Sequence, residues 1–550
     1  MTTDDLLSIA PLLLVAVGGL GMMLADAFVK SKAELALVTA VVLFAASAAS
    51  LGLWFDGGAP PSAIVSNYLA TDRLSHFLDL VICGGGGVAA LLAGGYLREH
   101  QIERGEFYVV LLFSALGAMA LGRAADLLTV FVALETMSLG VYGLVAFRRH
   151  SPRAAEAALK YFLLGSFASA ILLFGMALLY GATGETNLVE IGAAIARGTL
   201  QSDVPGPEVP VDPMLLSLSM LLLVGGLAFK VSAVPFHAWT PDAYEGAVTP
   251  ATTFMAVVVK AAVFGVMLRV LFVALGDERL ANDASGWPPA LAGLAAFTMI
   301  FGNLAAIVQK SVKRMLAYSS IAHAGYILVG VVASWKLGGA ESVSSVLYYL
   351  AAYAASNVLA FGALILAGSR GKESVAYEDL AGLGRRHPLV ALPFVLGILS
   401  LMGFPPTAGF FGKYYVILAA VQAGGGMVWL AVLAVVTSAV GAYYYLRVLV
   451  YLFMKSPEQG APVAVPMRSG YVAAGLALSA YFVLRLGLTP GSYLALVGVG
   501  GEDAPDAWVF LMDGAIALVL AGVAAMLAGR EEAPEGRSST GAEPAHQPTS

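Results

Sequence analysis

The apolar residues of this chain come in runs long enough to cross a bilayer, such as 6–28 and 343–367, with short polar breaks between them. A helix needs about 20 such residues to span a hydrocarbon core of about 30 Å. Hydrophobic residues make up 59% of the chain and charged residues only 12%, whereas a soluble domain carries about 25% charged residues. A soluble globule is excluded, and the expected fold class is an all-α polytopic membrane protein in contact with the lipid bilayer. The net charge of -6 includes no basic block that would hold nucleic acid, so nucleic-acid partners are excluded. The single cysteine, Cys83, rules out an internal disulfide, a thiolate metal cage or an iron-sulfur cluster on this chain. Any electron transfer must take place on another chain.

Fifteen spans follow from the run lengths: 6–28, 33–55, 74–97, 107–122, 125–147, 154–180, 213–234, 250–275, 288–309, 315–333, 343–367, 389–420, 427–454, 470–486 and 507–528. The first begins beside Asp4 and Asp5 and lacks the basic start of a secretory signal, so it is kept as a span. Loops after odd-numbered spans carry sixteen Lys and Arg residues and the opposite loops carry five, Arg73, Arg123, Arg197, Arg279 and Lys336. Because short cytoplasmic loops collect positive charge, the amino terminus is expected outside and the carboxyl terminus inside. The tail 530–550, rich in Glu, Pro, Ser and Thr, reads as a disordered end.

Two spans are interrupted. The seventh meets Pro235 directly after Val234 and continues through His237, Trp239 and Pro241, and the twelfth contains Gly403, Phe404, Pro405 and Pro406. Proline removes a backbone donor and clashes with the preceding turn, so both helices should open and leave polar backbone at membrane depth. The breaks lie five spans apart, an odd offset that reverses orientation, as an inverted repeat requires.

Seven basic residues fall within spans. Arg269, Arg447, Arg485 and Lys160 lie where they could snorkel toward an interface, but Lys230, Lys260 and Lys413 do not. Lys260 stands ten residues beyond Pro250 and Glu135 ten beyond Ala125, about 15 Å into the membrane at about 1.5 Å per residue. Each such charge costs roughly 2.5–3.5 kcal/mol at a helix centre. The bland alternative is that Glu135 and one lysine form an ion pair that holds helices together. One carboxylate cannot neutralise three lysines, however, and desolvation eases proton release from a surplus ammonium, which is the chemistry of a proton relay. His237 and His323 could extend the relay, with Tyr318, Ser319 and Ser320 holding ordered water, although a lone helix histidine often serves only as a hydrogen-bonding group. The glycines beside Cys83 suit close helix packing and do not form a dinucleotide loop. The histidines lack metal-ligand spacing, and no nucleotide, quinone or metal site can be read.

Three stretches carry a resemblance: KVSAVPFHAWTPDAYEGAVTP from Lys230, KRMLAYSSIAHAGY from Lys313 and GFPPTAGFFGKYY from Gly403. With Leu134, Glu135 and Thr136, they closely resemble the N subunits of bacterial NADH-quinone oxidoreductase, respiratory complex I, over roughly residues 1–490. The resemblance implies an antiporter-like bundle of 14 transmembrane helices with inverted repeats and two broken helices. It also implies a place among the other membrane-arm subunits in the bacterial inner membrane, and proton translocation coupled to quinone reduction elsewhere. NADH, FMN, iron-sulfur clusters and quinone would then be used by other chains, with no redox site here. The family relay falls on Glu135, Lys160, Lys230, His237, Lys260 and Lys413, which raises Lys160 above a snorkelling role. Two departures stand out: Val248 occupies a place where the family usually has proline, and residues 491–529 add a span before the tail. The competing readings are a sodium/proton antiporter subunit with no redox partner and a purely structural membrane subunit.

Overall fold

The computed structural model describes residues 2–29, 32–56, 61–200, 209–368, 371–457, 464–497 and 507–530. Lys30, Arg370 and the tail 531–550 lie outside the described residues. Within these limits thirteen helices are long and apolar enough to cross a membrane. The number is fourteen if Glu378–Arg386 and Pro388–Met402, bent by 115°, count as one span. Glu106–Gly122, apolar but only 17 residues, occupies the expected fourth span. The expected twelfth span divides into Pro388–Met402 and Ala408–Gln422. The C-terminal helix Ala507–Arg530 is present, and strands are limited among the described residues to a two-residue antiparallel pair, Thr199–Leu200 with Val209–Pro210, beside three isolated bridges.

Short side chains let the central helices approach. A Cβ on Gly85 would lie 2.4 Å from a Val257 methyl carbon, and one on Gly87 would lie 2.7 Å from the Phe44 ring, so the glycine run after Cys83 serves helix packing. The innermost helices are Arg73–Glu99, Thr249–Ala274, Val312–Lys336 and Ser344–Ala367, whereas Ala10–Phe28 and Val509–Ala528 turn most of their surface outward.

Both sequence breaks are real. Pro213–Lys230 ends at Lys230, Ser232 adopts a φ of 67°, and the chain resumes as Trp239–Gly246. The second break turns at Gly403, with a φ of 88° that glycine tolerates and most residues do not. Its halves nearly touch, since a Cβ on Gly409 would stand 1.8 Å from the Ser400 carbonyl oxygen. Thr249–Ala274 stays continuous but widens to a π-turn over Met255–Val259, immediately before Lys260. Such bulges free backbone carbonyls and recur at functional sites.

Two arginines depart from their expected settings. Arg123, assigned to a loop, is fully buried and bonded to Asp79, which also accepts from Ser50 at 2.7 Å. Arg269, assigned a snorkelling role, is 7% exposed and holds both oxygens of Asp72, at 2.9 and 2.6 Å. Tertiary contacts supplied by other helices satisfy these charges, which run-length counting does not register. At the opposite ends of the same helices, Glu373 accepts from the Tyr96 and Thr249 hydroxyls and pairs with Lys313 at 3.3 Å. Burial alone would raise this carboxyl, but the Lys313 ammonium and the two hydroxyls outweigh it and hold it down at about 2.

Candidate functional site

Glu135 lies on Leu127–Val145 in register with Ser138 and Tyr142, at spacings of three and seven residues that place all three on one helical stripe. Lys230, 1% exposed, donates to the Ser138 hydroxyl at 3.0 Å and reaches the Tyr142 hydroxyl at 3.5 Å. No ion pair within 4.0 Å joins it to Glu135, whose Oε1 is buried without a hydrogen-bond partner. The Ser138 hydroxyl in turn donates to the Leu134 carbonyl at 2.7 Å and not to Glu135, so the carboxylate shares the stripe with Lys230's partners without bonding to them. An outward-facing groove of about 370 Å³ runs between this helix and Glu106–Gly122, lined by Gly117, Ala120, Leu128, Val132, Ala133 and Thr136 but not by Glu135 itself.

Beyond Lys230 an aromatic wall closes the first break. The Tyr142 ring meets Tyr161 edge-on at 4.7 Å, Tyr161 stacks on Trp239 at 4.2 Å, and the Trp239 indole donates to the Phe229 carbonyl at 3.1 Å. The Ser232 and Thr240 hydroxyls bond across the break at 2.6 Å.

Lys260, 2% exposed, donates to the Ser320 carbonyl and lies over the Tyr353 ring, 5.4 Å from its centroid. No carboxylate pairs with it. The Ser320 hydroxyl is shared by Tyr353 at 2.7 Å and Tyr244 at 3.4 Å. One turn further along Val312–Lys336, His323 sits between two tyrosine hydroxyls, Tyr349 at 2.7 Å from Nδ1 and Tyr445 at 3.1 Å from Nε2, with Tyr445 also bonded to Ser319. Another turn brings Tyr326, which receives the Asn303 amide at 3.1 Å and donates to Thr437 at 3.2 Å. Lys413 lies 5.2 Å from the Tyr326 ring centroid and donates to the Met402 carbonyl at 2.9 Å and to Ser438 at 3.0 Å. The Met402 carbonyl is one that the second break leaves without a helical donor.

Lys260, His323 and Lys413 thus belong to a buried row of hydroxyls and rings with Val312–Lys336 as its spine, and Lys230 is joined to it only through the rings of Tyr142, Tyr161, Trp239 and Tyr244, whose hydroxyl meets Ser320. A cavity of about 10 Å³ opens at His323, Ser356, Ser400 and Gly409, close to the size of one water. A water there would join the histidine to the second break.

Two expected members stand apart. His237 packs edge-on against Phe301 at 4.6 Å, and its Nδ1 has no partner, so it does not bridge Lys230 and Lys260. Lys160, nearly half exposed, pairs with Glu156 at 2.7 Å and Asp242 at 3.0 Å, while Arg314 holds Asp242 at 2.8 Å and Glu245 at 2.9 Å. Its link is to the second half of the first broken helix. Tyr349, Tyr353, Tyr445, Asn303 and Ser438 escaped the sequence reading because a polar residue without charge costs little in a span. The one available signal was register: Ser138 and Tyr142 with Glu135, and His323 and Tyr326 with Ser319. Among the described residues no group of three or more His, Cys, Asp and Glu side chains could hold a metal ion.

Comparison with known proteins supplies the family context. The family profile described as NADH:quinone oxidoreductase/Mrp antiporter, TM, matches residues 124–441. NADH-quinone oxidoreductase subunit N 1 of Sorangium cellulosum is 53% identical over 90% of this chain and 98% of its own length. A chain of respiratory complex I from Thermus thermophilus with bound aureothin is 37% identical, with a TM-score of 0.71, covering 89% of this chain and 100% of that one. A chain of the Mrp complex from Dietzia sp. superposes with a TM-score of 0.74 over 94% of this chain and 100% of that one, but at 22% identity it shows the fold alone.

Proposed function

The chain belongs to the subunit N family of NADH-quinone oxidoreductase, the antiporter-like proton-translocating membrane subunits of complex I, and from that premise we propose that Glu135, Lys230, Lys260, His323 and Lys413 carry its protons. The complex I relationship favours this reading over an antiporter subunit with no redox partner, because the high-identity relatives are subunit N proteins and the Mrp likeness is one of fold. The observation that carries the proposal is the surplus of ammonium over carboxylate along one buried row. Lys260 and Lys413 bond only to carbonyl and hydroxyl oxygens, whose partial charges hold an ammonium less firmly than a carboxylate would. A lysine that must hold helices together would instead be paired with a carboxylate, as Arg123 is with Asp79.

In the working sequence, Glu135 biases Lys230 toward its ammonium form through space. A change arriving from a neighbouring membrane-arm subunit at the groove along Leu127–Val145 weakens that bias, and the proton moves on to Lys260 by way of the break. Rearrangement of the aromatic wall is part of that step, with His237 and Lys160 acting at the first broken helix. From Lys260 the proton passes through Ser320, Tyr353 and His323 with ordered water, and reaches Lys413 at the second break. NADH, FMN, iron-sulfur clusters and quinone act on other subunits, and this chain carries none of them.

Lys230→Ala and Lys413→Ala should each lower NADH-driven proton pumping in inverted membrane vesicles by about tenfold or more, while the complex assembles and migrates normally on native gels. Loss of assembly with normal pumping in the assembled remainder would support the helix-holding alternative instead.

The amino terminus lies on the outer, periplasmic side of the bacterial inner membrane, and the polar row lies within that membrane. Reporter fusions after Arg149 and after Arg279 should register cytoplasm and exterior respectively. Equal signals from the two would overturn the orientation.

A further inference from the structure

The C-terminal helix Ala507–Arg530 turns most of its large side chains outward, with Leu511, Met512, Leu518, Val519, Met526 and Leu527 all more than half exposed. Against this apolar surface it carries one carboxylate, Asp513, that is only 5% exposed. Simple apolar packing at the bundle edge needs no such group, and a charge within a span is costly unless it is paired. Asp513 Oδ1 accepts from Arg485 Nε at 2.8 Å and from the Tyr481 hydroxyl at 2.6 Å, and Oδ2 accepts from the Tyr493 hydroxyl at 2.6 Å. Tyr481 and Arg485 lie on Gly470–Leu488 and Tyr493 on Pro490–Val497. One carboxylate therefore ties the helix end to the segment that follows it. The Arg485 guanidinium also bonds Thr489 and lies 5.7 Å from the Tyr493 ring centroid, so the corner between the two elements is held from both sides.

That corner abuts the second break. A Cβ on Gly487, two residues beyond Arg485, would lie 2.1 Å from the Pro406 carbonyl oxygen and 2.7 Å from Thr407. The Tyr348 hydroxyl donates to the Leu486 carbonyl at 2.7 Å, joining the corner to the helix that presents Tyr349 to His323. Thr407 immediately precedes Ala408–Gln422 and donates back to the Phe404 carbonyl at 2.6 Å, and Lys413 stands six residues further on, bonded back to Met402 across the break.

We propose that Asp513 is a positioning residue for Lys413: it clamps the carboxyl end of Gly470–Leu488 against residues 406–407 and so fixes the placement of the Lys413 half-helix. The inference rests on the proposed proton-carrying role of Lys413. Removing the carboxylate's charge weakens the hold on Arg485 and on Tyr493, the corner and the break loosen, and Lys413 loses its register with Met402 and Ser438.

The test uses the whole complex in a Phe404→Cys background, which places a half-exposed thiol in the break while the native Cys83 remains buried. Asp513→Asn should change the rate of thiol labelling at position 404 by about threefold or more. It should also lower proton pumping per NADH oxidised by about fivefold relative to the Phe404→Cys parent. Asp513→Glu, which keeps the charge, should restore most of both. Unchanged labelling in Asp513→Asn overturns the clamp, whatever happens to pumping. Changed labelling with normal pumping upholds the clamp and tells against Lys413 as a proton carrier. If Asp513→Asn and Asp513→Glu both abolish assembly, the charge-specific clamp is wrong and the site is one of plain packing.

Discussion

Lys260→Arg should assemble into the complex and pump protons roughly 100-fold more slowly than the parent protein, the lower end of the range that a positioned proton-transfer group supplies. Arginine keeps the positive charge and can donate to the Ser320 carbonyl, but its guanidinium does not deprotonate in proteins. A lysine that only held helices together would tolerate this exchange, whereas a lysine that must release its proton would not. The setting makes the distinction clean, because Lys260 has a carbonyl and an aromatic ring as neighbours and no paired carboxylate. Lys260→Gln should fail in the same way by losing the proton-accepting amine, so paired loss in both variants with intact assembly identifies proton exchange as the missing step. Normal pumping by Lys260→Arg would remove Lys260 from the relay.

Glu135→Gln preserves shape and removes charge, and it should slow pumping by about 10- to 100-fold, while Glu135→Asp should keep a substantial part of the rate. Two unit charges about 4 Å apart at an effective dielectric near 20 interact by about 4 kcal/mol, and Glu135 and Lys230, which form no ion pair, fall below that limit. Glu135 and Lys230 are not in contact: Ser138 accepts the lysine's hydrogen bond and the carboxylate acts through space. The neutral amide therefore breaks no bond to Lys230, and any pumping defect measures the field of the carboxylate. Pumping measured as a proton-to-electron ratio in reconstituted vesicles separates this from slower electron entry. A normal ratio in Glu135→Gln would exclude the charge-switch step even with every other residue of the row in place.

The span pattern and both breaks were legible in the chain itself, since an apolar run of about 20 residues has one outcome in a bilayer and a proline inside it removes a backbone donor in any context. Lys230, Lys260, Lys413 and Glu135 stood out for the same reason: a charge at membrane depth is costly wherever the fold places it. The partners of those charges were not legible. Nothing local assigns Ser320 to Lys260, Ser438 to Lys413, or Tyr349 and Tyr445 to His323, because these pairs join helices distant in sequence. Arg123 shows the converse, a residue at the edge of an apolar run that Asp79 draws into full burial. His237 lies in a break that the sequence locates, yet its ring turns to Phe301 and away from the lysines. Composition and periodicity thus determined that the chain crosses the membrane, where it breaks and which charges must be satisfied, since those follow from transfer of each residue out of water. Which hydroxyl meets which ammonium was decided only by tertiary packing, because hydrogen bonds act over about 3 Å and depend on how distant helices are rotated against each other.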